Sequence, residues 1–251
     1  MKLRADVALV ERGLASSRSQ AQALILAGRV FSGERRIEKA GEMLGETADL
    51  VLRGVPRFVS RGGDKLDSAL DRLGLDVTGA VVVDVGASTG GFTDVVLQRG
   101  ARKVYAVDVG HGQLAQKLRD DPRVVVMERT NARELGPSAF VESIDLVVVD
   151  ASFIGIDKLV PSLASLLPEG KLLVALIKPQ FEAGREEARK GRGVIRDPAV
   201  REAAIEKARA AIVAAGFHVE GACDSDVPGP KGNVEHFVAA RRTQSTSTQR
   251  S

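Results

Sequence analysis

Four charged side chains stand at the ends of apolar runs that have the composition of buried strands. Asp84 ends the run from Ala80 to Val85, Asp108 the run from Val104 to Val109, Asp150 follows Ile144–Val149 and Lys178 follows Leu172–Ile177. A charge there is costly unless it is paired or belongs to a site. The carboxyl ends of strands are also where open α/β sheets bind ligands. Each alone reads as a solvated loop charge or a salt bridge; four on one rim indicate a site. After Asp84 comes Gly86-Ala87-Ser88-Thr89-Gly90-Gly91-Phe92, whose glycines let the backbone approach a ligand closely. Ser88 occupies the second glycine position of a dinucleotide fingerprint, which disfavours NAD or FAD. Asp108 follows Gly86 by 22 residues, the spacing of an acid that accepts from ribose hydroxyls. The pair suits a nucleoside cofactor lacking a pyrophosphate, for which S-adenosylmethionine is the natural candidate. A tight turn with a helix-capping aspartate is the alternative.

These residues need a scaffold. From Asp64 onward, strand candidates at 80–85, 104–109, 124–127, 144–149, 172–177 and 234–240 alternate with helix candidates at 93–98, 113–119 and 156–166. Near-continuous Val/Leu/Ile strands separated by helices predict a parallel sheet covered on both faces. Asp197-Pro198 opens a long helix that ends at Gly216. The first part of the chain has a different grammar. A helix over 6–12 stops at Gly13, and a second, over 18–27, is capped by Ser16 or Ser17. Short strands follow at 29–31, 35–37 and 49–52. The stretch Gly54–Gly63 reads as a linker. Boundaries are expected at 1–58, 59–242 and a Ser/Thr/Gln-rich, disordered tail at 243–251.

Composition narrows the classes. With 251 residues, 44% hydrophobic and 27% charged, the chain is an ordinary globular sequence. One cysteine, Cys223, excludes an intramolecular disulfide framework and points to a reducing compartment, so the cytoplasm is expected. No clean apolar run exceeds six residues, and no secretory signal is visible. Residues 1–65 hold 12 Lys and Arg against 8 Asp and Glu, whereas the remainder holds 24 against 25. All the positive excess lies in the first quarter, as in an appended polyanion-binding module or in a solvated basic surface without a partner, and the charge alone does not choose between the two. His111, His218 and His236 have no metal-ligand spacing with Cys223, and no metal is expected.

Several segments taken together resemble the TlyA family, often labelled haemolysin A. They are Ser60-Arg61-Gly62-Gly63-Asp64-Lys65-Leu66, Asp84–Thr93, Val149-Asp150-Ala151-Ser152-Phe153-Ile154, Ile177-Lys178-Pro179-Gln180-Phe181-Glu182, Arg196-Asp197-Pro198 and Gly232-Asn233-Val234-Glu235. The resemblance implies an α/β fold. A Rossmann-like, S-adenosylmethionine-dependent methyltransferase domain of the FtsJ-like type would follow a small α+β S4-like RNA-binding domain carried by Leu9–Ala15 and Ser17–Ala21. It implies 2′-O-methylation of ribosomal RNA in ribosomal subunits, at cytidine. Carried over position by position, the Lys-Asp-Lys-Glu tetrad falls on Lys65, Asp150, Lys178 and Glu235. The cofactor contacts fall on Asp84, Gly86, Ala87, Ser88, Gly90, Gly91, Phe92, Asp108 and Asn131.

The chemistry accounts for these residue types. A ribose hydroxyl is a poor nucleophile and must lose or share its proton. A lysine is protonated at neutral pH and serves as a base only where burial and a neighbouring cation favour the neutral amine. Lys178 is the expected proton acceptor, with Lys65 supplying the cation, Asp150 orienting the amine and Glu235 positioning the group. Arg4, Arg18, Arg29, Arg35 and Arg36, with Arg189 and Arg192 from the basic Lys178–Pro198 stretch, are candidates for RNA phosphates. Two other functions compete: a non-catalytic ribosome-assembly protein, which the full tetrad disfavours, and a membrane-damaging haemolysin, which the lack of a spanning run disfavours. The nucleotide, the choice of subunit and the oligomeric state are left open.

Overall fold

The computed structural model describes residues 2–15, 17–184, 187, 189 and 191–243. The chain divides into two compact units, Met1–Pro56 and Arg57–Ser251. In the first, strand β1 (Lys2–Arg4) runs into helix α1 (Ala5–Glu11), and helix α2 (Arg18–Leu26) packs against it. Ser17 caps α2 by accepting a hydrogen bond from the Gln20 amide. Strands β2 (Val30–Ser32), β3 (Arg35–Arg36), β4 (Met43–Gly45) and β5 (Leu50–Leu52) complete the unit; β1 pairs with β4, and β2 lies between β3 and β5. Leu9, Ala21, Ile25, Val30, Ile37 and Leu44 fill its core. The sequence did not reveal β1 and β4. At three residues each they turn only one residue inward, Leu3 and Leu44, too short a pattern to read in the sequence, and they exist by pairing with one another at these two leucines.

The second unit holds helix α3 (Arg61–Arg72), strand β6 (Val81–Val85), helix α4 (Gly91–Gln98), strand β7 (Lys103–Val107), helix α5 (Gln116–Arg119) and strand β8 (Val124–Met127). Strand β9 (Leu146–Val149), helix α6 (Val160–Leu166), strand β10 (Leu172–Ile177) and helix α7 (Pro179–Glu182) follow, then helix α8 (Pro198–Ala214), strand β11 (Phe217–Asp224) and strand β12 (His236–Arg242). Its seven strands are ordered β11-β12-β10-β9-β6-β7-β8; β12 is antiparallel to both its neighbours, and the other pairings are parallel. The sheet is buried on both faces because its side chains alternate. Val81, Val83 and Val85 join Val147, Leu173, Leu163 and Ile205 on one face. Val82, Val104, Val148 and Val174 join Leu66, Leu70 and Val95 on the other.

Some boundaries differ from expectation. Arg61, Gly62 and Gly63, read as linker, form the first turn of α3. Gly63 is needed there because a Cβ on it would run into the Phe58 ring, and α3 packs so closely on the turn after β6 that a Cβ on Gly91 would lie 2.9 Å from the Gly63 nitrogen. The helix expected over 156–166 is split at Leu159 into a 3-10 turn at Ile156–Lys158 and α6, and Pro161, which lacks an N–H, stands in the first turn of α6, where no intrahelical donor is needed. Strand β11 was not foreseen. β12 runs on to Arg242, so Arg241 is a strand residue. From residue 244 onward the expected tail lies outside the described residues.

Candidate active site

The sheet changes direction between β6 and β9, since β7 and β8 continue to one side of β6 and β10 to the other. That switch point is where the strand-end charges gather. Gly86 follows β6 with φ +85°, and a Cβ there would stand 2.8 Å from the Asp150 carbonyl oxygen. Only glycine lets the two strand ends close up. Asp108 is fixed by two backbone amides: Ser88 donates to its Oδ2 at 2.8 Å and Gly110 to its Oδ1 at 2.7 Å. Gly86, Ser88, Asp108, Gln113, Asn131 and Asp150 are among the residues lining a cavity of about 570 Å³ here. Asn131 both lines the cavity and caps a 3-10 turn, accepting from the Arg133 amide at 3.2 Å and donating to Glu134 at 2.7 Å. A carboxylate aimed into a cavity beside a glycine turn fits the ribose and backbone contacts of S-adenosylmethionine.

A second cavity of about 250 Å³ adjoins the first, and Gly86, Ser88 and Asp150 line both. Lys65, Lys178, Ala87, Gly91 and Phe92 line only the second. Three residues expected to touch cofactor therefore stand on the neighbouring side of the turn. Gly90, the N-cap of α4, lines neither cavity. Asp84 requires a larger correction. Its place in the alternation of β6 turns it beneath α4, where it is fully buried and its Oδ2 accepts from the Thr93 hydroxyl at 2.6 Å. Burial pushes its carboxyl up to about 7; Asp150 and Asp108 add to the shift, and the Thr93 bond opposes it. Asp84 anchors the helix after the turn and faces neither cavity.

Lys65, Asp150 and Lys178 line the second cavity, and both lysines are ion-paired. Lys178 Nζ lies 2.6 Å from Asp150 Oδ1, and it donates to Ser152 Oγ at 2.9 Å and to the Asp150 carbonyl at 3.3 Å. Lys65 Nζ donates to Glu235 Oε2 at 2.6 Å. The register explains the meeting. β10 and β12 pair Ile177 with His236, so the next residues beyond that rung are Lys178 and Glu235. α3 then brings Lys65 down onto Glu235, which is completely buried. Ser152, Gln113 and Phe153 were not singled out from the sequence. Ser88 donates its hydroxyl to Gln113 at 3.2 Å. Phe153 lines the larger cavity, is 90% exposed, takes φ +67° and packs on Phe181 with ring centres 5.2 Å apart. A strained, exposed aromatic beside a cavity is a signal only coordinates supply. Glu182 holds this loop by accepting from the Ile156 amide at 2.8 Å.

The arginine candidates fall into two groups. In the first unit, Arg4 and Arg18 converge on Asp6 at 3.0 Å each. Arg35 pairs with Glu42 at 2.6 Å and Arg36 with Glu38 at 3.5 Å, while Arg29 is exposed. In the second unit, Arg189 and Arg192 are exposed, and Arg192 takes φ +54°. Arg185 and Lys190 of the same stretch lie outside the described residues. Among the described residues, no group of three or more His, Cys, Asp or Glu is placed to hold a metal ion.

Strand order, a glycine turn and a cavity at the switch point are those of a Rossmann-like, S-adenosylmethionine-dependent methyltransferase. The family model for FtsJ-like methyltransferases matches residues 58–242, and that for the S4 domain matches residues 3–50. The chain is 46% identical over 242 residues to the 16S/23S rRNA (cytidine-2′-O)-methyltransferase TlyA of Mycobacterium tuberculosis, covering 96% of this chain and 90% of the relative. It is 41% identical over 240 residues to hemolysin A of Brachyspira hyodysenteriae, covering 94% and 100%. A solved Streptococcus thermophilus structure, provisionally labelled a hemolysin, superposes with TM-score 0.73 at 43% identity over 97% of this chain and 90% of that one. Magnesium protoporphyrin IX methyltransferase of Synechocystis, solved with SAH bound, shares the fold with TM-score 0.52 at 18% identity over 73% and 82%. The chain belongs to the TlyA family of FtsJ-like methyltransferases. Among the described residues, no helix is long and apolar enough to cross a membrane.

Proposed function

We propose that this protein methylates the ribose 2′-hydroxyl of a cytidine in ribosomal RNA, with the Lys65, Asp150, Lys178 and Glu235 group as its catalytic centre. The observation that carries this is the pair of adjoining cavities: one is lined by Asp108 and the glycine turn, and the other by Lys65, Asp150 and Lys178, with Glu235 paired to Lys65 behind it. S-adenosylmethionine, when bound, supplies a sulfonium-activated methyl that the ribose oxygen takes as the carbon–sulfur bond breaks. The chain's part is to place the hydroxyl and remove its proton. Lys178 is surrounded by the two Asp150 oxygens and Ser152, which aim its Nζ into the smaller cavity. Once it has lost one proton, the amine keeps its carboxylate partner and turns a lone pair to the hydroxyl. Lys65, held by Glu235, adds a positive charge close to the developing alkoxide. Phe153 offers the target base a stacking surface, and base–aromatic stacking is worth about 1–3 kcal/mol. The identity of the Mycobacterium relative supports cytidine and ribosomal RNA as substrate.

The test is transfer of labelled methyl from S-adenosylmethionine to ribosomal subunits from cells lacking this gene, followed by mapping of 2′-O-methyl sites. The rate is expected to rise with pH, and Lys178→Ala to lose turnover while retaining cofactor binding. A flat pH–rate profile, or wild-type turnover by Lys178→Ala, would overturn the assignment of Lys178. No label on ribosomal RNA would overturn the substrate.

A further inference from the structure

Asp6 is a carboxylate with no solvent exposure in a unit of net positive charge. It sits in the first turn of α1, and four donated hydrogen bonds reach it. Arg4 Nε donates to Oδ1 at 3.0 Å, while Arg4 Nη2 at 3.2 Å, Arg18 Nη2 at 3.0 Å and Gln22 Nε2 at 3.0 Å share Oδ2. The bond from Arg4, then that from Gln22, hold its carboxyl well below the usual carboxylate range, so it stays ionised. Arg4 ends β1 and Arg18 begins α2; they meet only because one buried oxygen atom binds both. Each arginine has five N–H donors in a rigid fork. Arg4 gives two to Asp6 and Arg18 gives one. Their side chains remain 47% and 59% exposed, so unused donor edges face water. The three groups together carry one net positive charge. By contrast, Arg35 with Glu42 and Arg36 with Glu38 are one-to-one pairs without net charge.

We propose that Asp6 is a positioning residue for RNA: from the buried side it holds Arg4 and Arg18 as a paired guanidinium clamp for a backbone phosphate of the ribosomal RNA substrate. The proposal rests on the rRNA substrate advanced above. Phosphate oxygens accept from two N–H groups of such forks, and a fork already fixed gives up less rotamer freedom on binding. The carboxylate lies behind the guanidinium groups, so the phosphate meets donors and not the negative charge.

The clamp and simple charge counting predict opposite results, which makes the test sharp. Binding of full-length protein to a ribosomal RNA fragment is measured by fluorescence anisotropy over a range of salt, with circular dichroism melts alongside. Asp6→Asn removes a negative charge, so charge alone predicts tighter binding. The clamp predicts binding weaker by about three- to tenfold, because two arginines lose their common anchor. Arg4→Lys and Arg18→Lys retain the charge and should also weaken binding several-fold, with the salt slope nearly unchanged. Arg4→Gln and Arg18→Gln should each reduce that slope by about one. If Asp6→Asn unfolds the first unit, the two lysine variants decide. Wild-type or tighter binding by folded Asp6→Asn, or wild-type binding by both lysine variants, would overturn the clamp alone. Failure of the wild-type protein to bind ribosomal RNA would overturn the substrate assignment as well.

Discussion

At the scale of single residues, the site is governed by how buried charges are compensated. Glu235 is fully buried and Lys65 nearly so, and each is the other's ionic partner at 2.6 Å. Removing one member of such a pair leaves an uncompensated buried charge, at a cost of about 3–5 kcal/mol, whereas replacing both by apolar groups is often neutral. Glu235→Ala is therefore expected to lower the unfolding free energy by an amount in that range. The double variant Lys65→Met/Glu235→Leu should regain most of it while remaining unable to methylate; urea titrations with parallel activity measurements check both halves. Ser152 acts more subtly. It accepts one hydrogen bond from Lys178, and bonds to charged groups are worth about 1.5–3 kcal/mol. Ser152→Ala should reduce kcat roughly tenfold or more and leave the KM for S-adenosylmethionine in place. An equal fall in cofactor affinity would show that Ser152 serves the larger cavity.

At the scale of elements, two backbone features decide whether these residues can meet. One is the turn after β6. Gly86 takes φ +85°, and its Cα hydrogen faces the Asp150 carbonyl, where a Cβ would come within 2.8 Å. Gly86→Ala should cost stability of order 1–3 kcal/mol. It should also weaken S-adenosylmethionine binding, since the turn separates from the end of β9; isothermal titration calorimetry and melting curves measure the two effects. The other is the antiparallel pairing of β10 with β12. A one-residue slip there would turn Glu235 away from Lys65, because side chains alternate along a strand. This pairing was only partly legible in the sequence. Leu172–Ile177 is an unbroken apolar run and shows itself as a buried strand. The run predicted over 234–240 begins two residues before the strand it marks, because β12 starts at His236; ahead of it only the Glu235 carbonyl is tied to the neighbouring strand's end, accepting from the Ser225 amide at 2.9 Å. β11 alternates inward and outward residues at the sheet edge, but Gly221 takes an inward position and Ala222 an outward one, which hides the alternation in the sequence, and its pairing with β12 shifts register between Val219 and Gly221.

At the scale of the molecule, each unit has its own apolar core. A chain lacking residues 1–56 is expected to bind S-adenosylmethionine normally and to lose at least tenfold in affinity for ribosomal RNA, about 1.4 kcal/mol; paired cofactor and RNA titrations check this. The pH dependence of stability has an identifiable contribution in Asp84. Its carboxyl is pushed up to about 7 in the fold from an ordinary value of 3.8. The folded protein thus binds a proton there that the unfolded chain has released. The resulting stabilisation is complete below pH 3.8 and is lost as pH rises towards about 7. Asp84→Asn should flatten that decline in melting experiments between about pH 4 and 7, and an unchanged slope would refute the assignment. The sequence by itself determined the kinds of groups, the strand ends that bear them and the two-part charge pattern, because strand periodicity and strand-end position are local properties of the chain. Which side of the glycine turn Ala87, Gly91 and Phe92 occupy, the withdrawal of Asp84 beneath α4, the exposed ring of Phe153 and the pairing of Lys65 with Glu235 were decided by tertiary structure alone. Each depends on which face of an element meets its neighbour, and that follows from sheet order and register between segments far apart in the chain.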